Sequence, residues 1–205
     1  MAEYTFSGDA SALHMGPVAV YYEVEEGTEK CLGYTLNDSV SFNVTHNPTP
    51  ITPDQSSLPI KDVITEMEAT VTMILGEVTR EHLKLIPGTA DDTDGTAAAS
   101  TGTEEPDKVI FYDPIGIDMK SRAGKLTLIP MDESDTNIYT FPKASPYMSG
   151  ELSFVKNTPQ GLSLTFKVYV NDAKGAEDTV TISGDTKYPY LVITKDTTKG
   201  TESNA

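Results

Sequence analysis

The chain has 205 residues, enough to bury a sizeable core without disulfides, and its one cysteine, Cys31, has neither a bridge partner nor a CxxC companion. A disulfide scaffold and a zinc ribbon are thereby excluded, and Cys31 is expected to be a small core residue. Thirty-one acidic residues against fifteen basic ones leave a net charge of −16, which repels phosphate and argues against a tight grip on nucleic acid. No apolar run is long enough to span a membrane, and Met1–Asp9 lacks the basic and hydrophobic parts of a signal peptide. The expectation is a soluble protein made in a cytoplasm, with no membrane partner.

Apolar residues fall in short alternating runs rather than at helical spacing, with 13 prolines, 15 glycines and no tryptophan, which is an all-β signature. Residues 1–17 read as an arm. A first strand is expected at 18–24, a turn at Glu25–Thr28, and a second strand at 31–36. Ser39–Thr45 alternates strictly, placing Val40, Phe42 and Val44 on one face. Prolines 48, 50, 53 and 59 remove backbone donors and exclude a central strand, so 46–60 is expected to be an extended projecting loop. From Val63 to Leu75 the odd positions are mainly apolar, while Glu66, Glu68, Thr70 and Thr72 take the other face. A strand of that length overhangs a compact domain and calls for a partner outside its own subunit.

Thr79 can cap a helix over Arg80–Ile86, which Pro87-Gly88 stops. Residues 89–107 carry almost no large apolar side chain and read as a mobile acidic surface insertion. Strands are expected again at 108–112, 125–129 and 138–141. A hairpin is expected to pair 150–156 with 162–170 across Asn157–Gly161, followed by edge strands at 179–182 and 190–194 and a polar tail at 195–205.

Gly16-Pro17, Leu32-Gly33, Ile51-Thr-Pro-Asp54-Gln55, Pro59 and Val63-Ile-Thr65-Glu66 precede the long strand. Leu75-Gly-Glu77-Val-Thr79-Arg-Glu81-His-Leu83 and Ile86-Pro87-Gly88 follow its start. In this order the features resemble the major tail proteins, or tail tube proteins, of siphophages, and the likeness continues loosely through Leu126–Pro130 and residues 150–170. The resemblance implies one tail-tube domain: a β-sandwich or rolled barrel with one flanking short α-helix and long projecting loops. It implies self-assembly into stacked, six-fold rings in a virion tail built in the host cytoplasm, with tape-measure, tail terminator and tail-tip proteins as partners. Genomic DNA would pass without specific binding, and no cofactor is implied.

Carried onto this sequence, strands 39–45, 62–75, 150–156 and 162–170 would line the channel. The face opposite the apolar one would present Ser39, Ser41, Asn43, Glu66, Glu68, Thr70, Thr72, Glu151, Ser153, Ser163, Thr165 and, as the one cation, Lys167. Such a wall, acidic overall, would keep phosphates hydrated and moving. The stacking loop would present Ile51, Asp54, Gln55, Leu58 and Pro59. Outward glutamates on a strand are equally what the wet face of any sheet looks like.

Other chemistry finds few residues to carry it. His14, His46 and His82 are dispersed, without HExxH or His/Cys spacing, and no Gly-x-Ser-x-Gly elbow or phosphate loop occurs, so no enzyme is expected. Asp92-x-Asp94-Gly95 matches the middle of a calcium loop but lacks the first ligand and the closing glutamate. The competing readings are a capsid-decoration or surface binding module of similar β content, and a glycan hydrolase, which would need a clustered carboxylate pair in a cleft.

Overall fold

The computed structural model describes residues 16–25, 27–36, 39–55, 57–91, 109–132, 135–150, 160–172, 180–182 and 185–197. The fold is all-β and antiparallel, with one short helix among the described residues. The strands are β1 (Val18–Glu25), β2 (Thr28–Cys31), β3 (Ser41–Ile51), β4 (Lys61–Leu75), β5 (Thr89–Asp91), β6 (Val109–Phe111), β7 (Gly124–Pro130), β8 (Asn137–Met148), β9 (Leu162–Tyr169), β10 (Val180–Ile182), β11 (Asp185–Lys187) and β12 (Val192–Lys195), and the helix is α1 (Arg80–Lys84).

Eight strands form one sheet in the order β2-β1-β7-β8-β9-β4-β3, with β12 also on β8. β8 belongs to two limbs. Its first residues pair with β7 and β12, and Lys143–Met148 pair with β9. Pro142 sits where the β7 ladder skips, between the pairs Leu126–Phe141 and Gly124–Ala144, so a residue without an N–H is accommodated in an inner strand by a bulge. The bend turns the limbs toward one another. Tyr22 of β1 meets Phe166 of β9 edge to face, centroids 5.2 Å apart, and Phe42 of β3 meets Phe141 of β8 at 5.0 Å.

The core between the limbs follows from the period of two. Val20 and Tyr22, Leu126 and Leu128, the odd positions Ala69–Leu75, and Leu162, Leu164, Phe166 and Val168 are all buried. Tyr22 ties the bend together, since its hydroxyl donates to the Ala144 carbonyl at 3.1 Å and accepts from the Gly124 amide at 3.1 Å. Gly124 must be glycine, because a Cβ there would collide with the Glu23 carbonyl. Burial raises the Tyr22 phenol above its ordinary value, partly offset by the Gly124 hydrogen bond and the Arg122 charge.

The helix forms where its cap is. Thr79 accepts from the His82 amide at 3.2 Å, and His82, which is buried, donates its Nδ1–H to the Glu77 carbonyl at 2.7 Å.

Several expectations are corrected. Cys31 is exposed, because the second strand occupies Thr28–Cys31 at the sheet's edge rather than 31–36. Residues 46–51 are strand, not loop, since Pro48 and Pro50 lie on an edge strand whose outward side needs no donor. Thr89–Asp91 is not part of a loose insertion but pairs with β6, the Gly88 carbonyl accepting from the Tyr112 amide at 2.7 Å. β9 pairs with β8 over Leu164–Tyr169 and with β4 over Leu162–Lys167, while residues 151–156, expected to pair with 162–170, lie outside the described residues. Residues 1–15, 92–108, 151–159 and 198–205 lie outside the described residues, and with them His14, the Asp92–Gly95 motif, Leu152 and Phe154.

Candidate functional site

Two features of the limb β8-β9-β4-β3 stand out, a polar face and an arm. The polar face assembles itself from strand register. Ser41 pairs with Thr72, Thr72 with Thr165, and Thr165 with Tyr147, giving one row across four strands. Asn43, Thr70, Lys167 and Ser145 give the next row, and Thr45 with Glu68 begins a third. Partners across an antiparallel pair share a face, so Ser41, Asn43, Glu68, Thr70, Thr72, Ser163, Thr165 and Lys167 all lie together, as their alternation required.

Within this face the groups bond locally. The Ser41 and Thr72 hydroxyls are 2.7 Å apart, and Lys167 Nζ lies 3.5 Å from Glu68 Oε1. Lys167 therefore compensates one of the two glutamates instead of standing as an isolated cation, and the face is less negative than its sequence suggested. Thr165 is only 5% exposed and Ser145 1%, so the face is open over β3, β4 and Lys167 but closed at those two positions. Ser39 departs from its expected role: its hydroxyl accepts from the Ile74 amide at 2.8 Å, capping β4 where β3 has not yet begun. Glu151 and Ser153 lie outside the described residues, and the place beside β9 that they were expected to take is held by Ser145 and Tyr147 of β8. Those two were missed because the strand expected at 138–141 stopped short of them, whereas β8 runs on to Met148.

The arm is the outer part of the β3–β4 hairpin. β4 pairs with β9 only from Thr70 to Leu75, so Lys61–Ala69 has β3 as its sole strand partner among the described residues. At about 3.3 Å per residue this two-stranded ribbon extends about 30 Å beyond the sheet. Thr65 has no opposite residue, and this bulge between the Asn47–Glu66 and Pro48–Ile64 pairs moves Ile64 onto the same face as Met67, Val44 and Phe42. The core stripe thus runs on into solvent: Ile64 is 62% exposed and Met67 40%. Glu66 stays on the polar face, its carboxylate 3.4 Å from Asn47 Nδ2. Ile51, Asp54, Gln55, Leu58 and Pro59, expected in a stacking loop, do gather at the exposed tip, where Leu58 and Ile60 are each 72% exposed.

The sequence matches no protein-family model and no curated protein.

Among the described residues no group of three or more His, Cys, Asp or Glu side chains is placed to hold a metal ion, and no helix is long and apolar enough to cross a membrane. A cavity of about 250 Å³ opens between α1, the turn before β7 and β8, lined by Tyr22, Lys84, Leu85, Arg122 and Pro146. Lys84 and Arg122 make it basic at its walls, and the Tyr22 hydroxyl is already engaged with backbone.

Proposed function

We propose that the chain is a structural subunit of a bacteriophage tail tube, which self-assembles into stacked rings whose channel carries DNA during ejection. What carries this reading is the projecting arm, whose exposed apolar stripe continues the core of its own subunit. Contiguous apolar surface of that kind marks an interaction site, and a two-stranded ribbon alone is only marginally stable in water. In an assembly the arm lies against a neighbouring ring, and the polar face of β3, β4, β9 and β8 turns to the channel. Serine, threonine and asparagine there offer hydrogen bonds without fixed positive charge, so the DNA backbone finds little to hold it. The six-fold symmetry, the tape-measure, terminator and tip partners and the virion location rest on the sequence resemblance.

The test is negative-stain electron microscopy of the purified chain at high concentration, paired with its mass in size-exclusion chromatography. Rings or hollow tubes are expected. A monomer that persists at every concentration would favour the decoration-module reading instead.

A further inference from the structure

From Lys61 to Ala69, β4 has β3 as its sole strand partner, and no other strand among the described residues ties this ribbon to the rest of the limb. Its course is therefore set by strand twist and by the one irregularity in its ladder. Pairing runs in step from Ser41–Thr72 to Asn47–Glu66, Thr65 has no opposite residue, and pairing resumes at Pro48–Ile64 and continues to Ile51–Lys61. An extra residue on one strand bends that strand and increases the local right-handed twist.

The bulge is held at this position from both sides. The Thr65 hydroxyl donates to the Asn47 carbonyl at 3.3 Å and lies 2.8 Å from the Thr49 hydroxyl, so one side chain spans the two residues that flank Pro48. Toward the tip, the Ile60 amide donates to the Ile51 carbonyl at 3.0 Å and fixes the register beyond the bulge. Were Thr65 drawn into a regular ladder opposite Pro48, every residue from Ile64 back to Lys61 would change sides. Ile64 would then leave the stripe of Phe42, Val44 and Met67 for the polar face.

The bulge works at the base of a lever. Leu58 and Ile60, each 72% exposed, lie beyond Pro48–Ile51, about 13 Å of strand from it. A change of about 20°, the angle between neighbouring strands in a twisted sheet, displaces such a tip by about 5 Å, one strand spacing. We propose that Thr65 is the positioning residue of the arm, its bulge setting the direction in which Leu58 and Ile60 meet a second copy in the adjoining ring; this rests on the tube reading above. Thr65 acts through the ribbon and need not itself touch the other copy.

The test removes Thr65 from the full chain, which preserves every cross-strand pair from Ser41–Thr72 to Ile51–Lys61 and the face of each side chain while taking out the bend. Thr65 is exposed, so thermal unfolding of the monomer is expected to shift by less than about 4 °C. In the electron microscope tubes are expected to give way to single rings, or to need at least about tenfold more protein. A merely structural part for Thr65 would instead lower melting temperature and assembly together. Thr65→Ser, which keeps the hydroxyl, is expected to form tubes with the parent's ring-to-ring rotation. Thr65→Val, which removes the hydroxyl at similar size, is expected to change that rotation or prevent stacking. Tubes of unaltered rotation at the parent's concentration, in the deletion or, if the deletion does not fold, in Thr65→Val, would overturn the proposal and leave the tube reading standing. A parent chain that never forms tubes would sink both.

Discussion

Lys167 of β9 and Glu68 of β4 form an ion pair at 3.5 Å across the polar face, both side chains half exposed. An exposed pair of this kind contributes about 0.2–1 kcal/mol, so Lys167→Gln is expected to lower the monomer's melting temperature by less than about 4 °C. Its effect on assembly should be larger and opposite in salt dependence to that on folding. Without the cation, Glu66 and Glu68 repeat uncompensated around each ring, so light scattering should show weakened assembly at low ionic strength and recovery at high. Salt-independent assembly of the variant would place Glu66 and Glu68 far from their counterparts in neighbouring copies.

Phe166 is fully buried at the meeting of the two limbs, in edge-to-face contact with Tyr22. Phe166→Ala should destabilise the fold by about 3–5 kcal/mol in urea unfolding, the range for emptying an aromatic site that cannot collapse. A loss under about 1 kcal/mol would mean that the limbs do not enclose this ring.

Tyr22 gives stability a defined alkaline limit. Its phenol is raised in the folded state, by burial first of all, so the neutral form is favoured there. Its contribution is whole below the ordinary tyrosine range near 10 and is lost as pH rises through the higher folded value. The chain should therefore lose stability above about pH 10, and Tyr22→Phe, although less stable at neutral pH for want of its bonds to Ala144 and Gly124, should show a shallower alkaline loss. Denaturant midpoints across the alkaline range decide this, and equal slopes for both proteins would refute it.

On the arm, Ile64→Ser with Met67→Ser should cost the monomer no more than about 1 kcal/mol, because Ile64 is 62% and Met67 40% exposed and both lie on the ribbon, clear of β9. Tube formation should nevertheless be lost. Unchanged tubes in the electron microscope would separate the apolar stripe from assembly.

Much of the fold was legible in the chain. Strict alternation at 39–45, 63–75 and 162–170 announced three strands of one limb and which side chains share a face, because the pleat converts spacing of two directly into sidedness. Thr79 marked the start of the helix for an equally local reason, although the helix ends at Lys84 rather than running to Ile86. Among the expected site residues, those on these three strands other than Ser39 do gather on one polar face. What alternation does not encode is the identity of neighbours. Proline reads as a breaker wherever it stands, yet Pro48 and Pro50 are tolerated at an edge and Pro142 at a bulge, so β3 and β8 each came out longer than expected, and β8 reaches the place beside β9.

Local spacing thus determined the alternating strands at 41–45, 66–75 and 162–169 and which of their side chains share a face, since the pleat depends on bonds within a few residues. Tertiary structure alone decided which strand sits beside which, that Cys31 lies at an exposed edge and that Lys167 meets Glu68. Those outcomes depend on the bend of β8 and on register across residues nearly a hundred positions apart, which no local pattern records.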